Sequence, residues 1–372
     1  MTLRFAILFH IKEDMTRTSG PASMLKRLKR GTLGAARKTG VLSFARQTLW
    51  RRRRLLILGY HGISTADEHL WDPELYIPPE LLRERFSALR DGGYDVLPLG
   101  EAITRLYDGS LPPRAVALTF DDGSVDFHSV ALPLLQEFGF PATVYLTSYY
   151  CVHQRPVFTT GLRYILWKSR ERTFDTNGLT ADGKSFRLAA ASEREAASAA
   201  IRQHCIKRGL TGRDKDDVLL ETATRLGFDY KDMLRRRLLH LMSPDEVAAL
   251  PRELVDVQLH THRHRVPTDA GAFEQEIVEN RTIIASLTSA RAATHFCYPS
   301  GVTHPSFPER LGRLGVKSAT TCFPGLASAA TKPMMLPRLI DTVATSALEF
   351  ESWLSGVSAL LPRRVIRAHA VG

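Results

Sequence analysis

The chain has few cysteines and no apolar run long enough to cross a membrane. Only four cysteines occur among its 372 residues, and they are widely spaced: Cys151, Cys205, Cys297 and Cys322. Their spacing excludes a small disulfide-stapled scaffold and suits a reducing compartment. The short apolar stretch 5–11 is broken by a histidine and followed by charged residues, so no secretory signal is expected. A cytoplasmic location is therefore expected.

Acidic residues are scarce at the amino-terminal end of the chain. Residues 1–66 hold 14 lysines and arginines against two acidic residues, Glu13 and Asp14, a net charge of +12 when the whole chain carries +11. The rest of the chain is therefore nearly neutral. Its hydrophobic content of 44% and charged content of 24% are those of an ordinary globular protein, so the basicity is not a property of the fold.

The basic stretch 24–50 has helical periodicity, with cationic residues between apolar ones, and four consecutive arginines follow it at 51–54. Two interpretations stay open. An amphipathic helix of this kind would bind an anionic membrane surface, on the inner face of the cytoplasmic membrane. Alternatively, the stretch is a solvated extension that packs on the domain or stays disordered. No recognisable nucleic-acid module accompanies it, so no nucleic-acid partner is expected.

Strand and helix patterns alternate along most of the chain. Short apolar runs indicate buried strands at 55–60, 115–120 and 142–147, and the stretch LVDVQL at 254–259 is interpreted as another strand. Amphipathic patterns indicate helices between them, as at 79–91 and 273–288. This alternation predicts an α/β fold with a parallel sheet or barrel.

Residues 151–242 interrupt the alternation with a stretch rich in Arg, Ala, Glu and Lys. It is interpreted as a mostly helical insertion that serves either as a lid or as surface padding. The predicted organisation is a basic extension at 1–54, a barrel domain at 55–361 that contains this insertion, and a basic tail at 362–372.

Polar clusters follow directly after the predicted strands. The stretch 116–123 reads VALTFDDG and stops on two adjacent carboxylates, Asp121 and Asp122. Two carboxylates held together at a buried strand end need a cation or a shared proton. His260 and His264 follow another strand, and two imidazoles with one carboxylate are a ligand set of hydrolytic zinc sites. Because the carboxyl ends of parallel strands meet on one face, these groups are expected to converge.

Three segments resemble the first three motifs of the polysaccharide deacetylase family, carbohydrate esterase family 4: TFDDG at 119–123, HTxxH at 260–264 and FCYPSG at 296–301. The resemblance covers about residues 55–345 outside the insertion. It implies a distorted (β/α) barrel and metal-dependent removal of acetyl groups from N-acetylated sugars. It also implies Zn²⁺ or another divalent transition metal as the cofactor and an N-acetylated glycan as the substrate.

Carried over by position, the resemblance makes Asp121 the general base and makes Asp122, His260 and His264 the metal ligands. The tetrahedral oxyanion of the reaction needs a hydrogen-bond donor besides the metal. The backbone N–H of Ser300, in the third motif, is the expected donor.

The sequence departs from the family pattern at two points. Cys297 stands where the third motif commonly carries an arginine that orients the base. Arg338, at a later predicted strand end, is expected to supply that guanidinium or, alternatively, to pair with a surface carboxylate. The late leucine-histidine motif that supplies the general acid has no clear match. His61, directly after the first strand, is the favoured replacement, with His304 and His262 as alternatives.

The sequence thus predicts a metal-dependent carbohydrate N-deacetylase that acts on an oligo- or polysaccharide or its lipid-linked intermediate. Three alternatives stay open. The first is a related amidase for a non-sugar C–N bond, since a fold does not determine the substrate. The second is an inactive glycan-binding protein, suggested by the two departures. The third is a protein whose functional part is the basic amino-terminal segment.

Overall fold

The computed structural model describes residues 31–288 and 293–361. Its strands, in chain order, are β1 Leu56–Tyr60, β2 Gly62–Ile63, β3 Tyr76–Ile77, β4 Asp95–Val96, β5 Ala115–Asp122, β6 Ala142–Leu146, β7 Thr173–Asp175, β8 Ser185–Arg187, β9 Val255–Leu259, β10 His295–Cys297, β11 Ser318–Thr320 and β12 Leu339–Ile340. The predicted tail 362–372 and the first part of the predicted basic extension lie outside the described residues.

Residues 31–38 are helical, and short π and 3₁₀ helices occur at Phe127–Ala131, Pro299–Gly301 and Pro333–Met335. The α-helices that follow are Val41–Ala45, Leu49–Arg52, Glu68–Trp71, Pro79–Asp91, Leu99–Asp108, Leu132–Phe138, Ser148–His153, Phe158–Lys168, Ala191–Lys207, Gly212–Arg225, Tyr230–Arg235, Pro244–Ala248, Ala270–Thr288, Phe307–Arg313, Ala347–Ser355 and Val357–Leu360. None of these helices is long and apolar enough to cross a lipid bilayer.

Eight strands form one sheet in the order β11-β10-β9-β6-β5-β1-β12, with β4 paired to the start of β5. Every pairing in this sheet is parallel. β1 and β6 are buried along their whole length, as expected when both faces of a parallel sheet are covered. The predicted α/β alternation is confirmed.

The segment 336–340 connects the two edges of this sheet. Leu336 forms a parallel bridge with Thr320 at the end of β11, and β12 pairs with Leu58 and Gly59 of β1. The fold is therefore the predicted distorted (β/α) barrel. The predicted position of Arg338 at a strand end is wrong, because Arg338 lies immediately before β12. A two-residue strand is too short to leave a period-2 pattern in the sequence.

β5 extends further than its apolar run. The predicted strand ends at residue 120, but Asp121 and Asp122 also pair with β6, Asp122 opposite Leu146. The turn comes one residue later at Gly123, which has φ 80° and where a Cβ would lie 2.5 Å from Leu146 Cδ1. Only glycine fits this position, so the two carboxylates are held by the sheet instead of by a loop.

The barrel belongs to a compact unit that contains residues 33–160 and 231–361, and residues 161–230 belong to a second unit. The second unit lies within the predicted insertion and is mostly helical, as expected. It also contains an antiparallel hairpin of β7 and β8, which the sequence did not indicate. The boundaries of the insertion and its role as lid or padding stay predictions.

Candidate active site

The three predicted metal ligands converge at the carboxyl end of the sheet, where Asp122 ends β5 and the two histidines follow β9. The Nε2 atoms of His260 and His264 lie 3.2 and 3.3 Å from Asp122 Oδ1. All three potential ligand atoms lie within 4.8 Å of one another. Asp122 Oδ1 is buried and has no hydrogen-bond partner among the described residues. An orphaned carboxylate oxygen that faces two imidazoles fits a divalent cation such as Zn²⁺.

The ring of His260 is oriented by a backbone carbonyl. Its Nδ1 lies 2.9 Å from the carbonyl oxygen of Cys297. Since a carbonyl can only accept, Nδ1 of the neutral ring carries the proton and the Nε2 lone pair faces Asp122. Burial lowers the pKa of His260, but Cys297 and Asp122 raise it well above its usual value. A metal ion at Nε2 would therefore compete with a proton for the same lone pair.

Left-handed backbone marks four residues of the predicted motifs. The φ angles are 68° at Asp122, 62° at Thr261, 53° at His264 and 54° at Ser300, which is exposed in the turn after β10. Such angles cost of order 1 kcal/mol for residues other than glycine, and they persist only where the surroundings impose them. The Thr261 hydroxyl contributes by accepting a hydrogen bond from the N–H of Arg265 at 3.1 Å. Four of the seven non-glycine residues with left-handed backbone among the described residues thus lie in the segments that carry the site.

The other carboxylate of β5, Asp121, is held by Arg338. Nη1 of Arg338 donates to Oδ1 and Nη2 donates to Oδ2, each at 2.7 Å, and both side chains are buried. Burial raises the pKa of Asp121, but the charge and hydrogen bonds of Arg338 outweigh it and lower the pKa to about 2. Asp121 is therefore an ionised carboxylate in a defined orientation, as a general base requires.

Arg338 reaches Asp121 from the segment that connects the sheet edges. Its Nε donates to the Thr321 carbonyl and its Nη1 to the Thr119 hydroxyl, both at 3.0 Å. A Cβ at Gly59 would lie 3.4 Å from Nη1 of Arg338 and 2.6 Å from Ile340 Cδ1. Glycine in β1 thus leaves the space in which the guanidinium lies.

Cys297 lies on the remaining side of Asp121. Its thiol lies 3.5 Å from Asp121 Oδ2 and accepts a hydrogen bond from Nη2 of Arg338 at 3.0 Å. The side chain is fully buried. Because Arg338 already fills the space beside the carboxylate, position 297 accommodates a small side chain and not a second arginine.

His61 lies beside the same carboxylate. Its Nε2 is 3.5 Å from Asp121 Oδ2, and its side chain is 20% exposed. Two residues later the chain is anchored by Asp126, whose Oδ1 accepts from Ile63 N at 2.8 Å and from the Ser124 hydroxyl at 2.7 Å. Burial raises the pKa of Asp126 to about 7. This anchor joins the loop after β1 to the loop after β5 and so positions His61.

The two alternative histidines have other partners. His304 Nδ1 lies 2.8 Å from the Ser306 hydroxyl, and His262 Nδ1 lies 2.9 Å from the Ser148 hydroxyl. Of the three candidate proton donors, His61 alone lies within ion-pair distance of the predicted base in the part of the chain that the structure describes.

Asn280, on the helix Ala270–Thr288, was not foreseen as part of the site. It is fully buried, and its Oδ1 accepts from the backbone N–H of His260 at 2.9 Å. Its Nδ2 donates to the Leu146 carbonyl and the Ser148 hydroxyl, both at 2.9 Å. One amide therefore holds the histidine segment against the end of β6.

Glu276 on the same helix holds the next residues of the histidine segment. Its carboxylate accepts from Arg263 N at 2.7 Å, and its backbone carbonyl accepts from His262 N at 3.1 Å.

A signal for Asn280 existed in the sequence. It falls three residues after Ile277 and therefore within the apolar stripe of the helix, where a polar residue needs a buried partner.

Comparisons with known proteins bear on the family and the architecture of the chain. The family model described as Polysaccharide deacetylase matches residues 108–319, which are more than half of the chain. The poly-beta-1,6-N-acetyl-D-glucosamine N-deacetylase of Escherichia coli strain K12 is 33% identical over 95 residues. That match covers 25% of this chain and 14% of the length of the E. coli protein.

Two solved structures share the fold over most of the chain. The Streptococcus pyogenes deacetylase PplD, in complex with acetate, has a TM-score of 0.53 at 18% identity and covers 83% of this chain and 99% of its own. IcaB from Ammonifex degensii has a TM-score of 0.51 at 14% identity, with 81% of this chain and 97% of its own covered. At these identities the likeness shows the architecture alone.

Proposed function

The chain belongs to the polysaccharide deacetylase family, and we propose that it is a divalent-metal-dependent hydrolase that removes acetyl groups from N-acetylated sugars of an oligo- or polysaccharide. One observation carries this proposal: two adjacent carboxylates have different surroundings. Asp122 turns an unsatisfied oxygen toward His260 and His264, whereas Asp121 is kept ionised by Arg338. Carboxylates whose environments differ in this way take different chemical roles.

The partial likeness to the E. coli enzyme supports an N-acetylglucosamine polymer as the class of substrate, because its name gives poly-beta-1,6-N-acetyl-D-glucosamine. The alternative of an inactive glycan-binding protein rested on two departures, the missing arginine of the third motif and the missing late histidine. Since Arg338 places a guanidinium on Asp121 from another segment, the first departure no longer argues against catalysis.

The residues that would hold the metal are Asp122, His260 and His264. Bound there, Zn²⁺ or another divalent transition metal would supply Lewis-acid activation of water and of the acetamide carbonyl. Asp121 accepts the proton that water loses as its oxygen attacks the carbonyl carbon. Arg338 keeps the Asp121 carboxylate ionised and oriented for that transfer.

Two further groups complete the proposed reaction. The backbone N–H of Ser300 donates to the oxyanion that develops on the acetyl oxygen. His61 gives a proton to the sugar nitrogen as the C–N bond breaks, so that the products are acetate and a free amine. His61 suits this role because its ring lies beside Asp121 and remains partly accessible.

Acetate release from a panel of N-acetylated oligosaccharides tests the proposed function. Acetate and free amine are expected in equal amounts, with activity lost on chelation and restored by Zn²⁺ or Co²⁺. Wild-type protein is expected to bind about one metal per chain, and Asp122→Ala and His264→Ala are each expected to bind less. Activity should fall by at least about 100-fold in each variant, since removing even an outer-shell partner of a metal ligand lowers metal affinity or activity 10–100-fold. His304→Ala, which changes a histidine outside the metal-ligand cluster, serves as the control for metal content.

A wild-type protein that releases acetate equally well when metal-free would contradict the proposal. So would an unchanged metal content in both ligand variants. Acetate release from N-acetylated compounds that are not sugars, without turnover of any sugar in the panel, would instead support the amidase alternative.

Replacement of His61 by alanine is expected to lower kcat for oligosaccharide deacetylation by about 10²–10⁴-fold, the usual contribution of a general acid. An activated ester such as 4-nitrophenyl acetate has a leaving group that needs no proton, so its hydrolysis is expected to change little. The measurement is kcat for both substrates in His61→Ala and in His304→Ala. Equal losses on the two substrates would show that His61 is not the proton donor.

A further inference from the structure

The amino-terminal helices are anchored to the barrel unit on their inner side. Leu33 and Leu42 are buried, with exposures of 0% and 1%. The guanidinium of Arg51 is also buried, and it donates to the Leu354 carbonyl at 2.8 Å and to the Ala115 carbonyl at 3.3 Å. Residues 33–54 are therefore a fixed part of this unit. This agrees with the interpretation that the extension packs on the domain.

The outer side of the same helices is apolar and exposed. Val41, Phe44 and Leu49 have exposures of 45%, 73% and 64%. Val41 and Phe44 are three residues apart on one helix and so share a face. The exposure of Phe44 exceeds that of every other large hydrophobic side chain in the described residues. Exposed large apolar side chains concentrated in nine residues mark an interaction site.

Cationic side chains border these apolar groups. Arg52 and Arg53 are exposed and follow Leu49 by three and four residues, so they lie on its face of the helix. Lys38, three residues before Val41, is exposed as well. No acidic residue occurs in the sequence between Asp14 and Asp67. We call the exposed side chains of Lys38, Val41, Phe44, Leu49, Arg52 and Arg53 the basal surface.

The other end of the described chain lies on the same side of the unit. Gly356 packs against the ring of Trp50, and Leu360, which ends the last helix, is 65% exposed. The sequence that precedes the described residues, 1–30, contains seven lysines and arginines, and the sequence that follows them, 362–372, contains three. The sequence on either side of the described residues is thus basic as well.

We propose that the basal surface binds anionic lipid headgroups and holds the protein on a membrane face. Interleaved cations and large apolar side chains on short helices are the chemistry of an interfacial anchor, in which apolar groups enter the acyl boundary and cations contact headgroups. A nucleic-acid footprint would need cations and polar groups where Val41 and Leu49 are exposed. A second copy of the basal surface would repel this one, because both carry the same charge.

The basal surface faces away from the candidate active site. Arg51 contacts Ala115, the first residue of β5, whereas Asp122 is the last residue of the same strand. At about 3.3 Å per residue, the strand separates the two regions by about 23 Å. A protein bound to lipid through the basal surface thus keeps its site open to solvent, so lipid attachment and turnover of a soluble substrate are separable.

Co-sedimentation of the full chain with vesicles tests the proposal. We expect binding to vesicles of equal parts phosphatidylglycerol and phosphatidylcholine, weak binding to pure phosphatidylcholine, and loss of binding in about 0.5 M salt. Arg52→Gln/Arg53→Gln is expected to weaken partitioning about 30-fold, at about fivefold per charge. Phe44→Ser/Leu49→Ser is expected to weaken it at least about tenfold for each side chain. Acetate release from soluble substrate stays unchanged in both variants.

A matched control lies in the second unit. Ile206 is 65% exposed, and Lys207 and Arg208 are exposed beside it. The variant Ile206→Ser/Lys207→Gln/Arg208→Gln therefore removes an exposed apolar side chain and two cations outside the basal surface. This variant is expected to bind vesicles like the wild-type chain. Equal binding of the wild-type chain to neutral and anionic vesicles would overturn the proposal, as would undiminished binding by the basal-surface variants. Binding of duplex DNA without binding to anionic vesicles would overturn it in favour of a nucleic-acid surface.

Discussion

Asp121→Asn is expected to lower kcat/KM for acetate release by about 10²–10⁴-fold, the range that a positioned general base supplies. Asparagine has nearly the same shape but cannot accept the proton of the attacking water. The cluster of Asp122, His260 and His264 is unchanged by the substitution, so bound metal is expected to stay near one per chain. The measurements are acetate release and metal content of the same purified sample.

The substitution also has a cost in stability, which the assay must take into account. Arg338 is fully buried, and both of its terminal nitrogens donate hydrogen bonds to the Asp121 carboxylate. Asparagine leaves that guanidinium without a countercharge, and breaking a buried ion pair costs about 3–5 kcal/mol. Activity must therefore be compared at a temperature where circular dichroism shows the variant to be folded.

A second buried ion pair in the same unit provides the control. Arg85 donates from Nε to Asp341 Oδ2 at 2.8 Å, and both side chains are buried. Asp341→Asn should therefore also lose stability while keeping acetate release in the folded protein. If Asp121→Asn retains as much activity per folded molecule as Asp341→Asn, Asp121 is not the base.

The convergence of the site was predictable from the sequence because it follows from two regularities. A long apolar run appears where a strand is buried on both faces, as in β5, and the carboxyl ends of parallel strands meet on one side. Asp121 and Asp122 end that strand, and the histidine segment directly follows β9, whose stretch also indicates a strand. Their grouping is thus a consequence of the parallel topology, which the alternation of strand and helix patterns along the sequence predicts.

The supports of the site were harder to predict because their roles depend on contacts between segments that are distant in the sequence. Arg338 precedes a strand of two residues, and its contact with Asp121 depends on the space left by Gly59. The left-handed backbone at His264 depends on tertiary contacts and not on local propensity. Asn280 was visible only as a polar residue in an apolar stripe, and its partners belong to two other segments.

Replacement of Arg338 by methionine is expected to lower both activity and stability, because it leaves the buried Asp121 carboxylate without its partner. The free energy of unfolding should fall by about 3–5 kcal/mol near neutral pH. Burial alone raises the pKa of Asp121, which Arg338 otherwise lowers to about 2. The acidic limb of the kcat/KM profile should therefore move to higher pH in the variant, a change that a general loss of stability would not produce.

The sign of the pH dependence follows from linkage. In the wild-type protein the lowered pKa of Asp121 stabilises the fold above its unfolded-state pKa of about 3.9, and this contribution is lost as the pH falls to about 2. In Arg338→Met the carboxylate is tolerated better when protonated. The difference in unfolding free energy between the two proteins should thus be largest at neutral pH and should shrink on acidification.

The double variant Asp121→Asn/Arg338→Met separates the ion pair from the individual side chains. Removing both charges leaves neither partner buried alone, so the double variant should unfold at a higher denaturant concentration than either single variant. Its acetate release should stay as low as that of Asp121→Asn, because the base is absent in both. Stability losses that simply add would show that the two side chains act independently. In that case Arg338 does not hold the base, and the guanidinium missing from the third motif must come from another residue.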